Sequence, residues 1–459
     1  MNYREFLAGK AVSAPQRGLT RIPDLAGHLF PFQRACVEHH LRAGAAGCFL
    51  DTGLGKTEVQ LEFCQRAIEA TNASALILTP LAVAGQTKRR ADRWGYEARV
   101  IRDQSEAGQG INICNYDRLE KLDPGAFGVV SLDEASILKS FTGKTTRALI
   151  EAFRDFRFKL AATATPAPND HMELGQYCEF LGIMPSNEML MRWFTADQTE
   201  MGRYRLKGHA YRSFWDWMAS WARMAEKPSD LGDSDAGYEL PPFEVRSHRA
   251  ADSRIDRDFA ELFGSPTMSA TSMHDVKRQT SNARAEKAAE IVHAEPDETR
   301  LIWVDTNYEA DALKAALPDA QEVRGSMSID QKEDILEAFA SGDIKWLIAK
   351  PSMCGFGLDW SHCARMAFVG RSYSYEAWYQ AVRRCWRFGQ TRTLIVDLIV
   401  AEGEDAIGRV IDRKADGHAD MKRAMREAMR RSMARSANLR VAYDPSHIAG
   451  VPAWLKSVA

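Results

Sequence analysis

No Cys-x-x-Cys pair occurs in these 459 residues, no apolar run nears the ~18 residues of a membrane span, and neither sign of charge is in excess. Each absence excludes something. The eight cysteines stand singly at positions 36, 48, 64, 114, 178, 354, 363 and 385. That spacing excludes a zinc ribbon or a dithiol redox pair and fits buried thiols in a reducing compartment. The eleven histidines show no ligand spacing either. The first residues, MNYREFLAGKAVSAPQRG, lack an apolar core, so no signal peptide is expected and the expected location is the cytoplasm. With 60 Lys+Arg against 62 Asp+Glu, the net charge of −2 argues against nonspecific coating of a polyanion, while leaving room for a local basic groove. What is present is ordinary for a globular chain: 45% hydrophobic and 27% charged residues, at a length that suggests two or three domains.

Short apolar runs alternate with helix-length stretches in two regions. The first holds Gly47–Leu50, Ala75–Thr79, Ile111–Asn115, Val129–Leu132 and Lys159–Thr163; the second holds Leu301–Val304, Trp346–Ala349, Met366–Val369 and Leu394–Val400. Buried strands joined by helices predict parallel sheets built from βαβ units, hence an α/β fold with two such domains, 1–170 and 281–410. Residues 171–280 read as a mainly helical, aromatic-rich insertion, with a loop at 227–240 closed by Pro241 and Pro242. Within it, cations and aromatics interleave at Arg192-Trp193-Phe194, Arg203-Tyr204-Arg205 and Tyr211-Arg212, a mixture able to stack bases and grip phosphates. Phe214, Trp217, Trp221 and Met224 also fall at helical spacing, which suits a packed face; both readings stay open. The tail 411–459 reads as a basic helix. Met421, Met425, Met429 and Met433 recur every four residues among Lys422, Arg423, Arg426, Arg430, Arg431 and Arg435, predicting a stripe packed on a neighbouring surface with a solvated basic face.

Two motifs carry chemistry. Asp51-Thr52-Gly53-Leu54-Gly55-Lys56-Thr57 lies between the run ending at Leu50 and an amphipathic stretch. A bound phosphate needs inward-pointing backbone amides unobstructed by side chains, a helix N-terminus, a lysine for the β- and γ-phosphates and a hydroxyl for Mg²⁺. Gly53, Gly55, Lys56 and Thr57 supply these, so ATP and Mg²⁺ are the expected ligands. Further on, Val129-Val130-Ser131-Leu132-Asp133-Glu134-Ala135-Ser136 sets two acids at the end of an apolar strand. Asp133 is suited to hold Mg²⁺ through water, and Glu134 to orient and deprotonate an attacking water. Lys139 and Lys144 follow closely and read as surface lysines.

With these motifs in place, the chain resembles superfamily 2 helicase-type motors, most similarly the SNF2 family in a compact bacterial or phage form. Leu50, where the general phosphate-loop pattern has Gly, matches the helicase variant. The likeness covers most of residues 28–392 and implies two RecA-like domains. Leu29-Phe30-Pro31-Phe32-Gln33 resembles the adenine-reading segment, implying that Gln33 bonds the base and Phe32 lies near its ring; the family usually has Arg where Phe30 stands. Thr79-Pro80-Leu81 and Asn115-Tyr116-Asp117 resemble segments that track nucleic acid, which implies contacts at Pro80, Asn115 and Tyr116. Thr163-Ala164-Thr165-Pro166-Ala167-Pro168-Asn169 is similar to the coupling motif, with Thr163 and Thr165 as its hydroxyls.

In the second domain, Ser352-Met353-Cys354-Gly355-Phe356-Gly357-Leu358-Asp359 resembles the motif meeting both nucleic acid and ATP, implying Ser352 toward nucleic acid and Gly357 and Asp359 toward nucleotide. Gln380-Ala381-Val382-Arg383-Arg384-Cys385-Trp386-Arg387-Phe388-Gly389-Gln390 is close to the SNF2 arginine motif, implying arginine fingers at Arg384 and Arg387 and a coupling role for Gln380. The likeness implies a DNA translocase, double-stranded DNA being favoured over single strands or RNA. A strand-separating helicase and an ATP-switched binding subunit remain the alternatives. Residues 411–459 hold 10 Lys+Arg against 5 Asp+Glu, and residues 365–392 hold six arginines against one acid. Cations are thus concentrated at the motor cleft and tail, which suits a motor that releases its track each cycle.

Overall fold

The computed structural model describes residues 13–80, 83–139, 143–168, 170–196, 204–250, 277–354, 359–370, 372, 374–401 and 405–440. Leu81, Asn169 and the stretch 355–358, which includes Gly357, lie outside the described residues. Two parallel sheets carry the fold. The first joins β1 (Ala45–Leu50), β2 (Ala75–Thr79), β3 (Ala98–Val100), β4 (Ile111–Asn115), β5 (Val129–Asp133), β6 (Phe158–Ala162) and β9 (Ala222–Ala225) in the order β3-β4-β2-β5-β6-β1-β9. A small antiparallel pair, β7 (Phe194–Ala196) and β8 (Tyr204–Leu206), stands beside it. The second sheet runs β10-β15-β14-β11-β13-β12, from β10 (Phe243–Arg249), β11 (Arg300–Trp303), β12 (Gln321–Glu322), β13 (Trp346–Ala349), β14 (Arg365–Phe368) and β15 (Leu394–Val400). This is the two-domain α/β architecture expected. Strands β1, β2 and β6 are buried at every residue because helices cover both faces, so they read as unbroken apolar runs.

The helices used below are α1 (Pro31–Ala43), α2 (Lys56–Thr71), α3 (Ala84–Trp94), α4 (Tyr211–Trp221), α5 (Tyr375–Val382) and α6 (Asp405–Arg440). No helix among the described residues is long and apolar enough to cross a membrane. Cys36, Cys48, Cys64, Cys114, Cys178, Cys363 and Cys385 are free and buried, as expected.

Four strands arise where the sequence pattern predicts a helical insertion: the β7–β8 pair, and β9 and β10, which join the two large sheets. Helix α4 stops at Trp221, and Ala222–Ala225 turns into an edge strand pairing Leu50 with Ala225. Met224 therefore leaves the helical stripe; its burial comes from β1 and from Met429, whose sulfur accepts its amide at 3.1 Å. Strand β10 pairs along its whole length with β15 but is mostly exposed, so it carries no apolar signal. Residues 171–280 thus contribute to both sheets, a correction to the picture of a separate helical insertion.

The aromatic face of α4 proves to be core. Phe214, Trp215, Trp217 and Trp221 are buried, with Trp217 stacked on Trp193 at 4.4 Å between centroids. The tail helix covers this face: Met421, Met425 and Met429 belong to the first sheet's core cluster, and Met433 packs against it. Each buried Met contributes about 1.5–3 kcal/mol, against roughly 0–1 kcal/mol for an exposed ion pair, so the methionine stripe is what seats the helix. The basic face is less solvated than expected, since Arg426 pairs with Glu226 and Arg431 with Asp216. Trp217→Ala is expected to destabilise the protein by about 3–5 kcal/mol, read from its denaturant midpoint. A loss below about 1 kcal/mol would return this face to the candidates for nucleic-acid contact.

Candidate active site in the cleft

In parallel sheets, ligands sit beyond the carboxyl ends of the strands, and the first sheet gathers its chemistry there. The loop 51–55 follows β1, Asp133 ends β5, and Thr163 follows β6, with its amide bonded to the Cys48 carbonyl at 3.1 Å. Gly53 and Gly55 have φ of +91° and +77°, a left-handed region that favours glycine. A Cβ on Gly55 would lie 2.1 Å from the Gln33 amide nitrogen. These two glycines let the loop wrap tightly, and α2 begins at Lys56, directing its N-terminus into the cleft.

A cavity of about 580 Å³ lies between the sheets, within the roughly 300–1,000 Å³ of small-molecule sites. The first lobe lines it with Gln33, Gly53, Gly55, Lys56, Thr57, Asp133 and Glu134. The second contributes Asp359, Gln380, Arg384 and Arg387. The expected nucleotide residues on distant segments, Gly357 aside, are therefore brought to one cavity.

Hydrogen bonds run from one wall to the other. The Thr163 hydroxyl donates to Glu134 Oε1 at 2.6 Å, and its oxygen accepts the Thr165 amide at 3.1 Å. The Gln380 side-chain amide reaches Thr165 Oγ1 at 3.5 Å, while Arg384 donates to the Gln380 carbonyl and side-chain oxygens at 3.0 Å each. Glu134 itself has φ +54°, strained for a side-chain-bearing residue and a mark of a functional site. Asp133 is steadied by Gln60, which donates at 2.9 Å and is itself oriented by the Ser131 hydroxyl at 2.7 Å. Lys139 is not a free surface lysine; it pairs with Glu376 of the second lobe.

The cleft sets buried cations beside buried acids. Burial raises the carboxyl pKa values of Asp133 and Glu134, with Lys56 opposing in both cases. Burial lowers the pKa of Lys56, whose ammonium donates to the Leu50 and Asp51 carbonyls at 2.9 and 3.3 Å. Burial and the neighbouring Arg387 push Arg384 down to about 9, and burial lowers Arg387 as well. Arg387 Nε stands 3.5 Å from Asp359 Oδ1. Bound phosphates would relieve the crowded cations. Thr57 and Asp133 fit a hard, oxygen-bound cation carried with those phosphates, and among the described residues no cluster of three or more His, Cys, Asp or Glu offers a separate metal site.

Several expectations change in detail. Gln33 Oε1 accepts the Phe30 amide at 3.0 Å and its Nε2 donates to the Leu54 carbonyl at 3.1 Å, tying α1 to the phosphate loop. Phe32 is buried in the core, and exposed Phe30 lines the cavity instead. Tyr116 is 8% exposed and its hydroxyl donates to the Asp133 carbonyl at 2.8 Å, so its side chain supports Asp133 and is not an exposed contact. Asn115 accepts from Thr79 at 3.4 Å, and Pro80 lines the cavity between the lobes. Ser352 is exposed, beside Lys350 and Trp378 in a second cavity of about 250 Å³. Unforeseen from sequence are Tyr238, stacked on Phe388 of the second lobe at 5.0 Å, and Asp51, bound by Tyr379, Arg383 and Lys422. Neither has a local signal, because their partners come from remote segments.

Residues 283–389 match the family model described as the helicase conserved C-terminal domain. That helicase domain is the lobe bearing Asp359, Gln380, Arg384 and Arg387. Among solved structures, the chain is similar to the Sulfolobus solfataricus SWI2/SNF2 ATPase core in complex with dsDNA, at 16% identity and a TM-score of 0.41, covering 90% of this chain and 98% of that one. No curated protein matches it.

Proposed function

We propose that this helicase-type chain hydrolyses ATP with Mg²⁺ and uses the cycle to move along DNA, double-stranded DNA being favoured, as a SNF2-like translocase. The observation that carries this reading is the path from Glu134 through Thr163, Thr165 and Gln380 to Arg384, which links an acid on one lobe to an arginine on the other. Lys56 and the amides of the loop hold the β- and γ-phosphates on the first lobe. Glu134 accepts a proton from the attacking water, while Arg384 and Arg387 neutralise charge developing on the transferred phosphoryl group. Mg²⁺, held by Thr57 and Asp133, would supply further neutralisation of the phosphate oxygens. Each half of this machinery sits on a separate lobe, so turnover requires closure, and release of product permits opening. Nucleic acid gripped by both lobes is then stepped along its backbone, with Ser352 and Asn115 as candidate contacts.

The expected result is ATP hydrolysis stimulated by duplex DNA, with triplex displacement but no duplex unwinding. Stimulation by RNA alone would reject the DNA reading, and duplex unwinding would favour the strand-separating helicase. Turnover without displacement would favour an ATP-switched binding subunit.

A further inference from the structure

Asp51, the first residue of the phosphate loop, is only 6% exposed, and its amide extends the β1–β9 ladder by bonding the Ala225 carbonyl at 2.8 Å. Its carboxylate is surrounded by donors. The Thr52 amide reaches Oδ1 at 2.6 Å, Arg383 stands 3.3 Å from Oδ1, the Tyr379 hydroxyl donates to Oδ1, and the Lys422 ammonium lies 3.5 Å from Oδ2. Burial works against the charge, but these partners outweigh it and hold the carboxyl well below the usual carboxylate range.

The two cations belong to different bodies. Arg383 is carried by the arginine motif and Tyr379 by α5 just before it, both on the second lobe. Lys422 lies on α6, which follows the second lobe in sequence but is seated on the first. Its neighbours Met421 and Met425 are in the first lobe's core. Its ammonium also lies 3.1 Å from Glu226, the residue directly after β9, and Arg426 on the next turn pairs with the same carboxylate at 2.5 Å. Lys422 is itself 5% exposed. Opening of the cleft would carry Arg383 and Tyr379 away with their lobe; Lys422, held to the first lobe by the methionine stripe, would lose the Tyr379 hydroxyl 3.1 Å away but keep Asp51 and Glu226. A buried carboxylate stripped of both cations would be an uncompensated charge at the base of the phosphate loop, a strongly unfavourable state.

We propose that Lys422 is a positioning residue for nucleotide binding: the tail helix supplies the resident counter-ion of Asp51 and keeps the phosphate loop formed while the lobes are apart, Arg383 joining only on closure. The proposal rests on the nucleotide reading of the cleft. Its function is to hold Asp51, and through it the loop amides, so it acts on binding more than on the chemical step.

The test uses the full chain and a non-hydrolysable ATP analogue without nucleic acid, followed by steady-state turnover. Lys422→Met is expected to raise the analogue Kd and the ATP KM about tenfold while kcat at saturating ATP changes by less than about twofold. Lys422→Arg should retain most of the affinity. The double variant Asp51→Asn/Lys422→Met should bind within about threefold of Asp51→Asn alone, because no buried charge is then left unpaired. A merely structural helix contact would give no such recovery. Should Lys422→Met not fold, this double-variant comparison decides the matter alone. Wild-type binding together with unchanged binding by Lys422→Met, or a double variant weaker than Asp51→Asn by tenfold or more, overturns the proposal but leaves the nucleotide reading intact. A wild-type chain that binds no nucleotide overturns both.

Discussion

Arg387→Ala is expected to lower ATP turnover on the order of 10³-fold, with nucleotide affinity changed far less. The expectation follows from placement. Arg387 lines the cavity from the lobe opposite the phosphate loop, it is buried, and burial disfavours its charge. Asp359, 3.5 Å from its Nε, pairs with it from the same lobe. An arginine held in this way gains most when negative charge develops between the lobes, which occurs in the transition state. Arg387→Lys is expected to recover little, because a point charge cannot reproduce the planar fork. Arg384→Ala should be as damaging but less clean, since it also breaks the bonds to Gln380. The measurement is turnover at saturating duplex DNA beside a binding curve for the ATP analogue. Unchanged turnover in Arg387→Ala would remove the finger assignment.

Glu134→Gln is expected to cut turnover by roughly 10²–10⁴-fold, the span of a lost general base. The amide retains an oxygen to accept the Thr163 hydroxyl, now 2.6 Å from Glu134 Oε1, so the loss reports chemistry and not collapse of the site. The pH profile adds a second readout. Burial raises the Glu134 carboxyl, while Lys56 and the Thr163 hydrogen bond pull it back. The base acts in its ionised form, so turnover falls as pH drops through this raised value, and the acid limb lies above the ordinary carboxylate range. Thr163→Val deletes a bond that favours the ionised form and should move that limb to higher pH. In Glu134→Gln the limb should vanish. A limb unmoved by Thr163→Val would place the titrating group elsewhere.

The phosphate loop and the acidic strand end were legible because each is local: a run of neighbouring residues whose types are dictated by what they must do. Gly53 and Gly55 announce backbone geometry, and Asp133 and Glu134 follow an unmistakable buried strand. The strands of both sheets were legible for the same reason, apart from β3, β9, β10 and β12. Those four sit at the sheet edges, and Ala222–Ala225 in particular continues the spacing of the helix before it. The aromatic insertion was ambiguous in sequence because a tryptophan at helical spacing serves a core and a base-stacking face equally well. Only the burial of this face, with Trp217 stacked on Trp193 and the tail methionines in the same core, distinguishes them.

The sequence by itself determined the two α/β domains and the glycine loop after the first strand, since each rests on periodicity or on residues close along the chain; the arginine motif came by resemblance. Tertiary structure alone decided which face of the tail is buried, that Tyr116 supports Asp133, and that Lys139 meets Glu376 across the cleft. It also decided that Lys422, 371 residues from Asp51, shares that carboxylate with Arg383. The physical reason is the same in each case. A buried charge is tolerated only where partners from separate elements converge on it, and convergence between remote segments leaves no periodic trace in the chain.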